Sequence, residues 1–406
     1  MTTAPPCVSP AHPPCVTPTH PPCVTPAQRR ARLGVRHLLA PSRRAATVED
    51  VADALVGLHA TDPATVYLSA CARLAEPDPA AVDRALYEDL SLVKLLSMRR
   101  TLFAVTTAVA PCVDASSARA IAVKERATLL KHLREHAEGW DEARLARTER
   151  AVLEALAERG EATTSELAAD VPELTEQWVM GRGKSYERKH SIGGRLLRVL
   201  ASDGHLRRCR PRGSWTSSLY PWALVPPLPT LPVREAKAEL VRRWLTGYGP
   251  ATEADVKWWT GWTLTDTRRA LADVGAAPVL LDEGPGYAAP EDLDPVPEPE
   301  PWAALLPALD PTAMGWRARD WYLDPEHVPA LFDRSGNIGP TVWWNGRVVG
   351  GWAQRADGEV VWRPLTDLGD EARTAVDQEA ARLGSWLGPT RVTPRFRTPL
   401  ERELTA

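Results

Sequence analysis

Three neighbouring polar side chains, those of His59, Thr61 and Asp62, are the strongest candidates for chemistry in this 406-residue sequence. They lie in the run Leu58-His59-Ala60-Thr61-Asp62-Pro63. A histidine and a threonine spaced i, i+2 across a helix end can converge on one water molecule, and a neighbouring carboxylate can orient the imidazole or offset developing positive charge. Such a group suits hydrolysis through an oxocarbenium-like transition state. The alternative is a buried core histidine beside an aspartate that only caps a helix.

Two predicted helices must position these side chains. The apolar spacing after Thr47 predicts a helix that ends near Ala60, with His59 at the edge of its apolar face. Asp62-Pro63 has the composition of a helix N-cap followed by proline at the first helical position, so a second helix should run to about Leu74. Residues 90–106 are less polar and are predicted to end in a strand.

A strongly basic segment is the second candidate. Residues 180–215 contain ten basic residues and two acidic ones, a local charge of +8 in a chain whose formal net charge is −3. Basic stripes bind DNA with salt-dependent, sequence-tolerant affinity, because each phosphate contact releases counterions. The alternative is a solvated face whose charge has no partner. We predict that the DNA contacts of this segment come from Lys184, Arg195, Arg198, Arg207, Arg208, Arg210, Arg212 and Trp215, the last by stacking on bases.

The elements around the basic segment follow the order of a winged helix, a helix-turn-helix variant with a β-hairpin wing. Amphipathic patterns predict helices over 146–159, 163–169 and 192–202, then a strand, a Pro-Arg-Gly turn and a second strand. We therefore assign residues 146–228 to a winged helix with a basic recognition helix and wing. The same order recurs over 229–289, and 29–145 is interpreted as an elaborated N-terminal copy.

Three further segments lie outside the predicted winged helices. Residues 1–28 contain nine prolines, an eight-residue repeat and no charged residue, which predicts a disordered tail. Residues 290–303 form an acidic, proline-rich linker. Residues 304–406 contain Asn345-Gly346 and Asp357-Gly358, which are typical hairpin turns, followed by a predicted helix over 371–386. The sequence therefore predicts an α+β protein of tandem winged-helix domains with a small C-terminal β domain.

Several function classes are excluded by composition and motifs. The six cysteines form no Cys-x-x-Cys pair, so we predict neither a structural zinc nor a disulfide framework. The sequence has no phosphate-binding loop, no Gly-x-Ser-x-Gly elbow and no His-Glu-x-x-His motif. It also lacks a long apolar run and a secretory signal. We predict no metal, no organic cofactor, no membrane contact and a cytoplasmic location.

Several motifs together resemble the winged-helix DNA glycosylases related to the azinomycin-resistance enzyme, the AlkZ-like family. The resemblance covers about residues 29–400. It is carried by the run from Val51 to Leu74, Met98-Arg99-Arg100-Thr101-Leu102-Phe103, Arg212-Gly213-Ser214-Trp215, Trp258-Trp259-Thr260-Gly261-Trp262, Leu305-Leu306-Pro307-Ala308-Leu309-Asp310 and Gly339-Pro340-Thr341-Val342 through Gly351-Trp352.

The resemblance implies tandem winged helices in a concave array, and excision of bulky or cross-linked N7-alkylpurines from duplex DNA. An N7-alkylguanine is already cationic, so its departure needs no general acid, and the enzyme has to place a water at C1′. The family is implied to do this with a Gln-apolar-Gln or Gln-apolar-Asp motif, at whose two polar positions this chain has His59 and Thr61. We expect Arg99 and Arg100 to face DNA phosphate nearby.

Three functions remain open at this point. The first is a monofunctional DNA glycosylase for alkylated bases, acting as a monomer on lesion-containing double-stranded DNA and serving genotoxin self-resistance. The second is a non-catalytic winged-helix DNA-binding protein, either regulatory or lesion-shielding. The third is a scaffold whose C-terminal domain binds a partner through exposed tryptophans. We favour the first, and the sequence does not identify the adduct that is excised.

Overall fold

The computed structural model of the protein describes residues 20–181, 183–185 and 187–406. It mixes helices with small antiparallel sheets, so the predicted α+β class is confirmed. Helix α1 runs over Pro26–Arg36 and begins at a capping box formed by Thr25 and Gln28.

The predicted disordered tail is wrong for residues 20–28. Cys23 forms a bridge with Leu280, and Val24 is buried against Val279 and Ala288. Ordering this segment is favourable because Val24 has an apolar surface to pack against, which the local composition does not reveal. Residues 1–19 of the predicted tail lie outside the described residues.

Within the described residues, three consecutive units share one element order: helix, short strand, two helices and two strands. The first unit consists of α2 (Val48–Ala54), β1 (Leu58–His59), α3 (Pro63–Cys71), α4 (Pro79–Asp83), a π-helical turn (Arg84–Glu88), β2 (Leu92–Ser97) and β3 (Thr101–Thr106). Its antiparallel sheet has the order β1-β3-β2.

The first unit differs from the sequence prediction where α2 ends. The helix stops at Ala54 rather than near Ala60, because Val56 and Gly57 have positive φ angles and turn the chain into β1. A Cβ atom at position 57 would meet the Val105 side chain at 2.8 Å, so this turn has room only for glycine. Residues 92–106 form a complete hairpin where a single terminal strand was predicted.

Two helices lead out of the first unit. They are α5 (Ala110–Val113) and α6 (Arg119–His136), joined by a π-helical turn (Asp114–Ala118). Leu129, Leu133 and Trp140 belong to the same buried cluster as the second unit. The predicted domain 29–145 is therefore corrected, since its last part packs into the core of the next unit.

The second unit carries the basic segment. It consists of α7 (Glu142–Arg159), β4 (Glu161–Ala162), α8 (Thr164–Asp170), β5 (Gln177–Met180), β6 (Arg188–Ser191), α9 (Ile192–Ser202), β7 (Leu206–Arg208) and β8 (Trp222–Leu224). The sheet order β4-β8-β7 repeats that of the first unit, and β5–β6 is a separate hairpin inserted between α8 and α9. Ser191 caps α9 by accepting a hydrogen bond from the backbone nitrogen of Gly194.

The third unit repeats the pattern again. It consists of α10 (Val233–Tyr248), β9 (Ala251–Thr252), α11 (Glu253–Thr260), α12 (Leu264–Val274), β10 (Ala277–Leu281) and β11 (Gly284–Ala288), with the sheet order β10-β11-β9. In each of the three units, the strand that comes last in the sequence lies in the middle of the sheet. Because the three units share this order of elements and strands, we interpret them as winged helices.

The segment predicted as a linker is held against α1. Asp292 forms ion pairs with Arg32 and Arg36, and Glu300 accepts hydrogen bonds from Ser42. These contacts fix residues 290–302 along the surface of the N-terminal part of the chain.

The C-terminal part is a four-stranded sheet covered by a helix. Its elements are β12 (Ala303–Leu306), α13 (Val328–Leu331), β13 (Thr341–Trp344), β14 (Arg347–Gln354), β15 (Val360–Pro364), α14 (Asp370–Leu387) and α15 (Pro399–Leu404), and the strand order follows the chain. Short 3₁₀ turns elsewhere span Pro41–Arg43, Met98–Arg100, Pro172–Thr175 and Pro325–His327.

The tryptophans of the C-terminal part do not form an exposed surface. Four of them are buried: Trp316, Trp321 and Trp343 in the large cluster shared with the third unit, and Trp352 in a second cluster. Trp344, Trp362 and Trp386 are half-buried and pack against that second cluster. The scaffold hypothesis required exposed tryptophans, so its prediction is wrong.

A buried ion pair joins the first unit to the C-terminal part. The side chains of Arg73, after α3, and Asp310, after β12, are both 0 % exposed, and their closest N–O distance is 2.7 Å. The guanidinium also donates to the Ser69 and His37 carbonyls and to Thr312, so all five of its N–H groups have acceptors. Burial alone would raise the pKa of Asp310, but Arg73 outweighs it and the pKa is lowered.

We expect Asp310→Asn to destabilise the protein by about 3–5 kcal/mol, because it leaves the Arg73 charge buried without a counter-charge. Urea unfolding followed by tryptophan fluorescence measures this. The matched control is Glu359→Gln, which breaks an exposed ion pair with Arg355 and should change stability by less than about 1 kcal/mol. Equal effects of the two substitutions would contradict the central role of the buried pair.

Candidate active site

A cleft of about 250 Å³ opens where the first unit and the second unit meet the segment between α14 and α15, which we call the C-terminal segment. Thr61 lies in it, beside Leu96 and Leu102 of the β2–β3 hairpin. Phe396 closes it from the C-terminal segment. Its basic lining residues are Lys94, Arg100, Arg198, Arg207, Arg208 and Arg395, and none of the described residues that line it is acidic.

The basic side chains of the cleft are crowded. The Arg208 guanidinium lies 4.8 Å from the centre of the Tyr220 ring, and burial, reinforced by Arg395, lowers the pKa of Arg208. Burial and the neighbouring arginines also lower the pKa of Arg198. Like charges gathered in a partly desolvated cleft repel one another, so this arrangement favours an anion such as a DNA phosphate.

Thr61 is held in the cleft by β3. The backbone nitrogen of Ala60 donates to the Leu102 carbonyl at 2.7 Å, and the Leu102 nitrogen donates to the Thr61 hydroxyl oxygen at 3.4 Å. The hydroxyl proton of Thr61 is therefore left to a ligand or a water in the cleft.

Asp62 has a positioning role. One carboxylate oxygen accepts from the Ala64 nitrogen at 3.2 Å and caps α3, as the sequence predicted. The other accepts from the Arg395 backbone nitrogen at 2.9 Å. Asp62 thus holds the segment that carries Arg395 and Phe396 against the elbow, which is the turn between β1 and α3 that contains Thr61 and Asp62. The sequence did not predict this arrangement.

His59 lies behind the cleft rather than in it. Its side chain is 2 % exposed, its ring centroid lies 5.4 Å from that of Phe103, and no hydrogen-bond partner among the described residues reaches its Nδ1. Burial, and then the charge of Arg99, lower the pKa of His59 to about 3, so the ring is neutral at physiological pH. The prediction that His59 and Thr61 converge on one water is corrected, because the His59 ring is buried against Phe103 and does not line the cleft that contains Thr61.

The predicted basic residues divide into two sets. Arg100, Arg198, Arg207 and Arg208 are brought together in the cleft, although Arg100 also forms an ion pair with Glu125. Outside the lining of the cleft, Arg195 lies half-buried on α9, and Lys184 lies in the exposed turn between β5 and β6.

Two further arginines of the wing already have carboxylate partners. Arg210 forms an ion pair with Glu88 at 2.6 Å, and Arg212 forms one with Glu166 at 2.8 Å. These pairs reduce the positive charge that the wing presents, and the Arg210 pair also ties the wing to the first unit.

The predictions for Arg99 and Trp215 are corrected by their packing. The Arg99 guanidinium lies 3.9 Å from the centre of the Trp258 ring, where burial lowers its pKa to about 10, and it does not line the cleft. Trp215 stacks on Tyr67 at 4.8 Å and contacts Trp386 at 5.7 Å. Its ring therefore packs the second unit against the first unit and α14 instead of facing DNA bases.

Two basic residues of the cleft, Lys94 and Arg395, were missed from the sequence. Lys94 interrupts the apolar run 92–96 within the strand Leu92–Ser97, and this interruption was a usable signal. Its Nζ donates to the Tyr87 hydroxyl at 2.7 Å, and burial, then Arg208, lower its pKa to about 7 against the opposing effect of Asp83. Arg395 had no local signal, because only the folded chain brings it beside Thr61.

Comparison with known proteins agrees with this architecture. The family model described as DNA glycosylase AlkZ-like matches residues 52–386. The chain belongs to the AlkZ-like DNA glycosylase family. It is accordingly classed as an enzyme, a hydrolase, and the AlkZ-like assignment favours catalysis over the non-catalytic alternative.

A match in sequence and a match in structure, both to Streptomyces sahachiroi, support the AlkZ-like assignment. A curated relative, the interstrand DNA cross-link repair glycosylase of Streptomyces sahachiroi, is 27% identical over 387 residues, covering 89% of this chain and 96% of the relative. The solved structure of Streptomyces sahachiroi DNA glycosylase AlkZ superposes with a TM-score of 0.68 at 25% identity, covering 92% of this chain and 99% of that one.

The part of the chain that the structure describes contains neither a metal-binding cluster nor a membrane-spanning helix. No group of three or more His, Cys, Asp or Glu side chains there could hold a metal ion. Among the helices that the structure describes, none is long and apolar enough to cross a membrane.

We expect the double substitution Arg198→Ala and Arg207→Ala to weaken duplex binding and to reduce the slope of log K against log[salt] by about two, roughly one per lost phosphate contact. Fluorescence anisotropy over a salt series measures both quantities. The control pair, Arg355→Ala with Arg363→Ala, removes exposed arginines of the C-terminal sheet. A slope that is unchanged by the cleft pair, or equally changed by both, would contradict the assignment of the cleft to DNA.

Proposed function

We propose that this chain hydrolyses the N-glycosidic bond of N7-alkylpurines in double-stranded DNA, including bulky and cross-linked adducts. The observation that carries the proposal is the basic cleft with Thr61 in it and no acidic group among its described lining residues. A glycosylase acting on neutral bases needs a proton donor for the leaving base. A cationic N7-alkylguanine does not, so a cleft without a carboxylic acid suits this substrate class.

The roles of the elbow residues follow from their contacts. The Thr61 hydroxyl, whose oxygen already accepts from Leu102, donates to one lone pair of a water and leaves the other lone pair to attack C1′. The C1′–N9 bond breaks as the neutral alkylpurine leaves, and the proton that the water loses passes to solvent. Asp62 keeps Arg395 beside that position through the backbone of the C-terminal segment. His59 acts as a neutral core residue beneath the elbow and takes no proton. Catalysis then consists chiefly of placing water and sugar together in a preorganised site.

The arginines of the cleft act on the DNA backbone. Arg198 and Arg207 hold phosphates flanking the lesion, and these phosphates bring negative charge close to the cationic sugar of the transition state. A binding mode based on phosphates tolerates any sequence, as a repair enzyme that reads lesions requires. We accordingly propose a monomer acting on lesion-containing duplex DNA in the cytoplasm.

The similarity to the Streptomyces sahachiroi interstrand cross-link repair glycosylase supports bulky and cross-linked adducts as substrates. Self-resistance to a genotoxin is the biological role that we propose for such a substrate range. It predicts more rapid release of a bulky N7-guanine adduct than of N7-methylguanine.

We expect Thr61→Val to lower the single-turnover rate of base release at least about tenfold, because valine keeps the shape of the side chain and removes the hydroxyl that orients the water. Release of N7-methylguanine and of a bulky N7-guanine adduct from duplexes, scored after alkaline strand cleavage, measures this. Duplex affinity should be unchanged.

The matched control is Thr128→Val, which removes a hydroxyl that bonds only to its own helix, at the Lys124 carbonyl. It should release bases at the wild-type rate. If the wild-type protein releases neither base while retaining salt-sensitive duplex binding, the proposed substrate class is wrong. If Thr61→Val is as active as wild type, the role of Thr61 is wrong.

A further inference from the structure

Lys94 differs chemically from the other basic residues of the cleft. Among the described lining residues, it alone carries an amine, and the remaining cations are arginines. A guanidinium stays protonated and is a poor nucleophile, whereas a desolvated lysine beside another cation becomes a nucleophilic neutral amine. The pKa of Lys94, lowered to about 7, agrees with that environment.

The strand register places Lys94 on the same face as the elbow. In the β2–β3 hairpin Leu96 pairs with Leu102, and Lys94 pairs with Ala104 two residues further along. Side chains two residues apart on a strand point to the same face of a sheet. The backbone nitrogen of Leu102 contacts Thr61, so Lys94 lies one pleat repeat from the residue pair beside Thr61, and Lys94 and Thr61 line the same cleft.

Among the described residues, Tyr87 orients the Lys94 amine, and no carboxylate forms an ion pair with it. It donates to the Tyr87 hydroxyl, and its Nζ lies 4.8 Å from the centre of the Tyr87 ring. No carboxylate within 4.0 Å forms a salt bridge with it among the described residues, although Asp83 acts on it from a greater distance. The mechanism proposed above makes no use of this amine.

We propose that Lys94 captures the abasic deoxyribose left in DNA after base excision, forming an imine with its C1′ aldehyde. This inference rests on the proposed function, which supplies the abasic site. The Nζ lone pair attacks C1′ of the ring-opened sugar, the C–N bond forms, two protons pass from nitrogen to the carbonyl oxygen, and that oxygen leaves as water. No oxidation or reduction occurs, and addition of water reverses the step.

The composition of the cleft determines the fate of the imine. Strand cleavage by β-elimination needs a base to remove a proton from C2′, and no carboxylate is present among the described lining residues to do so. Hydrolysis is therefore the route out of the imine, so the enzyme remains a hydrolase. Capture retains a reactive abasic site on the protein until water releases it.

The test incubates the full-length protein with duplex DNA that contains a preformed abasic site, in the presence of sodium borohydride. Borohydride delivers hydride to the imine carbon and leaves a stable secondary amine that joins protein to DNA. Because the abasic site is supplied, the result does not depend on base excision. Denaturing gels measure the adduct, and peptide mass spectrometry locates it.

We expect the wild-type adduct to fall at least tenfold in Lys94→Met and in Lys94→Arg, and to be attached to Lys94. The control Lys257→Met removes an exposed amine of α11 and should leave the yield unchanged. Abasic-duplex affinity and circular dichroism identify a variant that has merely failed to fold or to bind, and Lys94→Arg keeps a long basic side chain that has no amine.

A wild-type protein that gives no adduct, or an adduct attached elsewhere and unaffected in both Lys94 variants, would overturn the proposal. Base release from the N7-methylguanine duplex is measured separately. An adduct without base release would contradict only the proposed substrate, and base release without an adduct would contradict only the capture by Lys94.

Discussion

The buried ion pair between Arg73 and Asp310 is the interaction on which the rest of the architecture depends. A charge removed from water is tolerated only when it is paired and its remaining hydrogen-bonding groups are satisfied. Here one guanidinium meets that condition with groups from three separate parts of the chain: the end of α1, the end of α3 and the segment after β12. The first unit and the C-terminal part must therefore adopt one relative position, and that position brings Arg395 to the elbow beside Thr61.

In contrast to the buried ion pair, the cleft gathers positive charges without a counter-charge among its described lining residues. Its arginines are close together and partly desolvated, and they repel one another. Contacts outside the cleft must therefore hold the units together against this repulsion. Trp215, stacked on Tyr67, and Arg210, paired with Glu88, hold the second unit against the first across this repulsion. An anionic ligand relieves it, which couples DNA binding to the stability of the interface between the units.

Elements whose determinants are local were predicted well. The helix Ile192–Ser202 has a serine cap, an amphipathic pattern and a glycine at position 204, and the hairpin at Asn345-Gly346 has its turn signal in two residues. The end of α2 was not predicted, because an apolar spacing that fits a helix continues through residues that pair with β3 instead. The ordered segment at Val24 was missed for a related reason, since its apolar partner lies in β10.

The sequence by itself determined the family, the mixed fold class, the repeated module and the concentration of positive charge, because each depends on residue types and short spacings. Only the tertiary structure decided that His59 is buried, that Arg99 stacks on Trp258 and that Trp215 is a packing residue. It also decided which charges share a cleft, where Lys94 and Arg395 join Thr61. These outcomes depend on contacts between residues tens to hundreds of positions apart. Burial, which sets both the orientation of a side chain and its protonation, is a property of those contacts.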